Sequence, residues 1–275
     1  MLPFFQIGPV TIYSYGMMIV VGLLCGALLI WLRARKTKLP SQDALFAYLY
    51  GIIGLAIGAK LFYLVQALPQ LIEHVDDLRA SPELLLDLLA SGFVFYGGLF
   101  GGIAGAIIYA KQFHISFRSI VEVLTPVIPL VHGFGRIGCF LAGCCYGIPY
   151  DGPLCVVFET PGVAPLHTPL FPVQLMESAL LFILVAFLLL YDRYARHPRS
   201  LMGWYLLLYG VIRMITEVFR GDEIRGSFLI FSTSQWISIA IILVGIVVLI
   251  KLKGSEKPEK PEIPETPEKP DSTPL

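Results

Sequence analysis

Residues 201–220 read LMGWYLLLYGVIRMITEVFR. A helix needs roughly 20 residues to cross the hydrocarbon core of a bilayer, and the run from 201 to 219 meets that length. It nevertheless carries Tyr205, Tyr209, Arg213 and Glu217, each four residues after the last, with Thr216 and Arg220 beside them. At helical periodicity these positions fall on one face. Ionisable groups facing lipid are costly, so such a stripe predicts a bundle interior and a functional site on it.

The rest of the chain supplies that bundle. Further apolar runs lie at 13–32, 44–66, 92–110, 119–135, 173–191 and 228–250. The expectation is an all-α polytopic membrane protein of about seven transmembrane helices, since backbone polar groups in hydrocarbon must be satisfied internally. Pro126 and Pro129 interrupt the fourth run and predict a kinked or broken helix there. The 275 residues are 56% hydrophobic and 15% charged, against about 25% charged in soluble domains. Nine of the 40 charges sit in residues 254–275, so the body is poorer still. This excludes a disordered chain, an ordinary cytosolic enzyme and a nucleic-acid binder resting on a basic surface. The formal net charge is zero, so charge placement carries more information than charge total.

That placement alternates. Arg33, Arg35, Lys36 and Lys38 follow the first run, and Lys111 and Arg118 the third. Arg193, Arg196 and Arg199 follow the fifth, and Lys251 and Lys253 the seventh. Residues 69–90 instead hold Glu73, Asp76, Asp77, Glu83 and Asp87 against one Arg79. Basic loops face the cytoplasm, which predicts an outside N-terminus and a cytoplasmic C-terminus. The first run has no basic stretch before it and is expected to stay as an anchor, not to be cleaved as a signal peptide. Residues 1–253 are expected to form one integral membrane domain, with 136–172 an external segment near the site. The Lys/Glu/Pro-rich residues 254–275 are expected to be a disordered cytoplasmic tail.

Small residues recur at four-residue spacing: Gly54 and Gly58 in the second run, and Gly97, Gly101 and Gly105 in the third. This spacing predicts close helix packing in lipid. Gly97 and Gly98 are also candidates for bringing backbone near a ligand. Residues 133–138 (GFGRIG) match the dinucleotide-binding pattern, but no strand or soluble βαβ unit surrounds them, so that reading is rejected. Arg213 and Arg220 outnumber the one acid on their stripe, Arg136 adds a third cation from residues 133–138, and together they suggest an anion clamp, because guanidinium binds phosphate or carboxylate bidentately. The competing reading is a set of interhelical ion pairs, Glu217 with Arg213 and Glu177 with another arginine. Lys60 and Glu122 are further ionisable groups within runs.

Taken in order, several segments resemble the prolipoprotein diacylglyceryl transferase family. Tyr15-Gly16 is similar to the family's Tyr-Gly near the first span, and Gly58-Ala59-Lys60 to its Gly-Gly-Arg. Tyr96-Gly97-Gly98-Leu99 resembles His-Gly-Gly-Leu. Residues 135–147 (GRIGCFLAGCCYG) resemble Gly-Arg-Ile/Leu-Gly-Asn-Phe continuing to Gly-Glu-x-x-Gly. Residues 172–177 (PVQLME) are similar to Pro-Ser-Gln-Leu-Tyr-Glu, and residues 209–220 follow Tyr-Gly-x-x-Arg…Glu-Phe-x-Arg. The likeness runs from about residue 11 to 250. Three active-site positions depart from it: Tyr96 stands for the family's His, Cys139 for its Asn and Cys144 for its Glu.

The resemblance implies transfer of a diacylglyceryl group from phosphatidylglycerol to the lipobox cysteine of a prolipoprotein, in the bacterial cell (inner) membrane, with release of glycerol phosphate. It implies no cofactor, no metal and no nucleic-acid partner. Tyr15, Tyr96, Arg136, Tyr209 and Arg213 are the candidate catalytic set, and His132, four residues before Arg136, is a further candidate for proton transfer, set against a helix-packing role. Arg136, Arg213, Arg220, Gly97, Gly98, Cys139, Cys144, Gly147, Gln174 and Glu217 are the implied substrate contacts. Cys139, Cys144, Cys145 and Cys155 gather on the outer side, and their C-x4-CC-x9-C spacing is not a common zinc pattern. Two other functions stay open: an altered family member that binds phospholipid or uses another acceptor, and an anionic-lipid or solute transporter.

Overall fold

The computed structural model describes residues 3–8, 10–35, 39–73, 92–160, 163–194, 200–222, 227–228 and 231–254. Most of the acidic stretch 69–90, the basic positions Lys36, Lys38, Arg196 and Arg199, and the tail from 255 lie outside these residues.

Helices form in each of the seven apolar runs. They are α1 (Ser14–Ala34), α2 (Ser41–Glu73), α3 (Phe95–Gln112), α4 (Phe117–Leu124), α5 (Val127–Ala142), α6 (Val173–Tyr194), α7 (Leu201–Val218) and α8 (Thr233–Gly254). Among the described residues α1, α2, α6, α7 and α8 are each long and apolar enough to cross a membrane. The expected break at the prolines is present: α4 and α5 meet at 42°, and together make a sixth candidate span. The glycine-rich α3 has 18 residues and lies along α2. Bulky apolar side chains cover the outside, as along α1, where Val20, Leu24 and Leu28 recur every turn and are all exposed. An apolar surface that continuous is suited to lipid, not water.

Helix contacts give a spatial series α3–α2–α1–α5–α6–α7–α8, with short α4 touching α1, α2, α3, α5 and α7. The expected glycine packing holds the α2–α3 pair. A Cβ on Gly54 would stand 2.2 Å from the Gly101 carbonyl oxygen, and one on Gly101 2.1 Å from that of Gly54. Gly58 and Gly97 repeat the arrangement one turn on. The two backbones touch where no side chain fits. Gly101→Val is therefore expected to cost about 3 kcal/mol, the upper range for overpacking. An unchanged melting temperature of the detergent-solubilised protein would contradict this.

One end of the bundle carries three small hairpins. Strands β1 (Phe4–Ile7) and β2 (Val10–Tyr13) pair ahead of α1, with Phe4 opposite Tyr13. Strands β3 (Val156–Val157) and β4 (Pro169–Leu170) tie down the connection between α5 and α6. Strands β5 (Ser227–Phe228) and β6 (Phe231–Ser232) precede α8. The α5–α6 connection has its own small core of Phe158, Ala164 and Leu170. It is stitched to the end of α7, where the Ile148 N–H donates to the Phe219 carbonyl at 3.0 Å and Gly147 pairs with Arg220. A Cβ on Gly147 would stand 2.2 Å from the Phe171 carbonyl oxygen, which explains the glycine.

At the opposite end, Arg33 differs from its expected place in a basic loop. It is the buried penultimate residue of α1, paired with Asp192 at 3.2 Å and donating to the Glu122 carbonyl at 3.1 Å. Burial without that partner would leave an uncompensated charge. Glu122 itself pairs with Arg118 across one turn at 3.5 Å. The Lys60 ammonium lies 4.8 Å from the Tyr63 ring centroid, a cation–π contact.

Candidate active site

The residues 133–138 that mimic a dinucleotide loop are continuous helix in α5. Their glycines admit neighbouring side chains. A Cβ on Gly133 would stand 2.7 Å from the Phe182 ring, and one on Gly138 would stand 3.1 Å from the Tyr15 ring. The Ser178 hydroxyl donates to the Gly133 carbonyl at 3.0 Å. Such close packing of α1, α5 and α6 fixes the direction in which Arg136 points.

Arg136 is 9% exposed and Glu177, on α6, is 1% exposed. Their Nη2 and Oε1 atoms are 2.9 Å apart. The contact is close in distance but poorly aligned, so Glu177 Oε1 and Arg136 Nε are both buried without a hydrogen bond. His132, one turn earlier on α5, puts Nε2 3.7 Å from the same Glu177 oxygen. Its ring centroid lies 5.7 Å from that of Tyr209, which stacks in turn on Tyr205 at 5.5 Å. This centre joins His132, Arg136, Glu177 and Tyr209.

The stripe on α7 divides. Tyr209 faces the Arg136 centre, whereas Arg213 is held by Glu217 at 2.6 Å and by the Ser234 hydroxyl of α8 at 3.2 Å. Glu217 also accepts from Ser232 at 2.9 Å. Arg220 makes two hydrogen bonds to Asp222. The expectation of surplus positive charge is thereby corrected. Each arginine has its own carboxylate, as charges taken out of water require, and the ion-pair reading of Glu217 with Arg213 and Glu177 with an arginine describes the resting site. What Arg136 keeps is a free donor edge, not a free charge.

The C-terminal end of α5 draws three of the grouped cysteines into contact range. The helix stops at Ala142, with Gly143 in the left-handed conformation at φ 68°. Cys145 is also left-handed, at φ 55°, a strained state for a non-glycine residue. The Cys144 N–H returns to the Cys139 carbonyl at 3.1 Å, and Gln174 Nε2 holds the Cys144 carbonyl at 2.9 Å. The Sγ atoms of Cys139, Cys144 and Cys145 consequently lie within 4.8 Å of one another. Cys145 is pulled below the usual thiol range by hydrogen bonds from Cys139 and Cys144, and by Arg136 and Arg220, against its burial. Cys144 is pushed up because its thiol is hydrogen-bonded to Cys139 and Cys145. Tyr15 lies within electrostatic reach of all three sulfurs and of Arg136. Cys155 is exposed, and Cys25 is half-buried in α1.

Gly97 and Gly98 do not join this centre. Gly97 abuts the Gly58 carbonyl, and Gly98 faces Leu55 and Ala59, so both serve the α2–α3 contact. Tyr96, at the start of α3, is 45% exposed and within electrostatic range of Tyr209.

The family profile described as prolipoprotein diacylglyceryl transferase matches residues 3–251. The chain belongs to the prolipoprotein diacylglyceryl transferase family. A phosphatidylglycerol–prolipoprotein diacylglyceryl transferase of Clostridium tetani is 38% identical over 244 residues, covering 89% of this chain and 94% of that protein. One from Clostridium perfringens, the second of that name, is 33% identical over 255 residues, 92% and 96% of the two chains. A Vibrio vulnificus protein of the same description is 32% identical over 231 residues, 80% and 79%. Cys139 and Cys144, which the motif resemblance marks as departures, fall in one thiol cluster with Cys145.

No periodicity or motif in the sequence singles out Asp222, Ser232 or Ser234 as site residues. Asp222 stands two residues after Arg220, which is the only local signal for it. The two serines act through a hairpin and helix register invisible to periodicity.

Proposed function

We propose that this chain transfers the diacylglyceryl group of phosphatidylglycerol to the lipobox cysteine of a prolipoprotein, as a multi-pass enzyme of the bacterial inner membrane. Family membership supports the reaction, and one observation carries its placement: Arg136 is buried, held by Glu177, and retains an unpartnered Nε donor. A phosphodiester oxygen satisfies that donor. The transferred glyceryl carbon then stands toward the cysteine cluster, which begins with Cys139 three residues further along the same helix and ends with Cys144 and Cys145 just past it. The acceptor sulfur forms the S–C bond as the C–O bond to phosphate breaks, and the electron pair leaves with glycerol phosphate. Preorganised cations stabilise the charge that develops on this leaving group.

Tyr15 and Tyr209, in the electrostatic surroundings of Arg136, and Tyr96, in those of Tyr209, are the hydroxyl donors of this reading. His132 is the orienting neighbour of Glu177 and not the base, since its Nε2 already faces that carboxylate. Tyr96→Phe is expected to cost about tenfold in turnover, the worth of roughly one hydrogen bond, with the pH profile unchanged. His132→Gln is expected to keep the acid limb of that profile. Loss of the limb in either variant would identify a base and displace this assignment.

The reaction is tested by rescue of a host depleted of its own transferase. Mass spectrometry of a reporter lipoprotein should show the diacylglyceryl mass on the lipobox cysteine. An unmodified reporter, at normal levels of the protein, would refute the function. The orientation we assign, acidic residues 69–90 outside and the segment after Lys251 inside, follows the basic flanks. A single cysteine placed at residue 80 should react with an impermeant reagent on intact cells, and reaction only after lysis would invert the topology.

A further inference from the structure

Three thiols lie within 4.8 Å of one another at the end of α5, in the electrostatic surroundings of Arg136 and Arg220. The sequence groups them with Cys155, and the left-handed turn at Gly143 and Cys145 folds Cys144 back over Cys139 while Cys155 stays exposed. Their backbone is braced by Gln174, and all three are half-buried. Thiolate sulfur is the preferred ligand of zinc, and three protein ligands leave a fourth position open for chemistry. In a tetrahedral centre with Zn–S bonds of about 2.3 Å, sulfurs stand about 3.8 Å apart. Rotation about the side-chain torsions closes a cluster of this size to that spacing.

Resting on the transferase reading above, we infer that Cys139, Cys144 and Cys145 hold a zinc ion whose open position takes the acceptor's cysteine and presents it as a thiolate. A zinc-bound thiol is deprotonated outright at neutral pH. The family's reaction is alkylation of a thiol, so the limiting property is sulfur nucleophilicity, and the thiolate is the nucleophile. Zinc with four thiolates carries two negative charges. Arg136 and Arg220, both in the electrostatic surroundings of Cys145, offset them. Gln174 and Tyr15 supply the outer shell that orients the ligands.

The step balances without a redox change. The acceptor S–H loses its proton to solvent as sulfur enters the zinc sphere. A sulfur lone pair forms the bond to the terminal glyceryl carbon, and the C–O bond breaks with its electrons going to glycerol phosphate. Zinc stays divalent and keeps its three cysteines. The product thioether is neutral and a weak ligand, so it leaves, and the next thiol enters.

The test is metal analysis and cobalt substitution of the full chain purified in detergent under reducing conditions. The expected result is about one zinc per chain, as for a single three-cysteine site. Cys144→Ser and Cys145→Ser should fall to background, and Cys155→Ser should retain the metal. The cobalt form of the unsubstituted chain should show thiolate-to-metal charge transfer in the near ultraviolet. Its visible bands should shift on adding a lipobox peptide with one cysteine, and not with the serine version of that peptide. A chain that takes up no zinc, with three free thiols or a disulfide found by alkylation mapping, would overturn the site. A cobalt spectrum indifferent to the cysteine peptide would overturn the acceptor step. Transfer from phosphatidylglycerol is assayed on the same samples. Full transfer by chelated, zinc-free enzyme sinks the zinc inference and leaves the transferase reading standing. A peptide-responsive metal centre with no transfer does the reverse.

Discussion

Exchanging Arg136 for lysine is expected to lower diacylglyceryl transfer about a hundredfold or more, the usual cost of removing one preorganised donor from a charge-stabilising site. The substitution keeps the positive charge, so the loss comes from geometry. Arg136 performs two tasks with one planar group: Nη2 meets Glu177 at 2.9 Å, and Nε remains as a buried donor without a partner. An ammonium is a point donor on a flexible stem and cannot hold two fixed directions at once. It will pair with Glu177, the nearest carboxylate, and leave the phosphodiester unmet. The measurement is kcat/KM with phosphatidylglycerol and a cysteine peptide, alongside the melting temperature. Near-normal transfer by Arg136→Lys at normal stability would remove the guanidinium from the mechanism. Arg213→Lys separates the two arginines. Arg213 is committed to Glu217 and Ser234, so its replacement should be felt first as weaker attachment of α8 to α7.

Apolar runs of membrane length, the proline break, the glycine spacing and the order of the family's motifs are all legible in the amino-acid sequence, because each depends on local periodicity or composition. The proline break and the glycine packing are found as expected; of the seven runs, five form helices that are each long and apolar enough to cross a membrane and a sixth does so as the bent α4–α5 pair, while α3 does not reach that measure among the described residues. The stripe on α7 is legible as a stripe but not in its division. Helical spacing places Tyr209 and Arg213 on one face, yet only the neighbours decide that Tyr209 turns to α5 and α6 while Arg213 turns to α8. Charge counting fails for a related reason. Arg220 finds Asp222 beyond the end of the helix, and Arg136 finds Glu177 on another helix, so a tally along one stripe misses both partners. Basic residues flank spans, which argues for Arg33 in a loop, whereas Asp192, far along the chain, draws it into the bundle. The N-terminal hairpin has no apolar run of membrane length to reveal it. The thiol cluster needs two left-handed residues to form, which spacing rules do not encode.

The largest expected effect on stability belongs to Glu177. It is 1% exposed, and its removal strands the largely buried Arg136 guanidinium without its carboxylate. Breaking one side of a buried pair typically costs about 3–5 kcal/mol. Glu177→Gln keeps the volume and loses the charge, so its destabilisation should fall in that range, with transfer lost as well. Stability and function can then be pulled apart by replacing both partners. The double variant Arg136→Met, Glu177→Leu buries apolar groups of similar size, leaves no uncompensated charge, and should recover most of the stability lost by Glu177→Gln alone. Transfer should stay at the level of Arg136→Met. Denaturant or thermal unfolding of the parent chain, Glu177→Gln, Arg136→Met and the double variant in detergent, with transfer measured on each, separates the two effects. If Glu177→Gln unfolds no more easily than the parent chain, the 2.9 Å contact is incidental. If the apolar pair restores transfer along with stability, the arginine served only the fold, and the phosphate must be held elsewhere. The expected split, stability regained and transfer absent, makes the ion pair a costly means of holding one guanidinium edge toward the lipid phosphate.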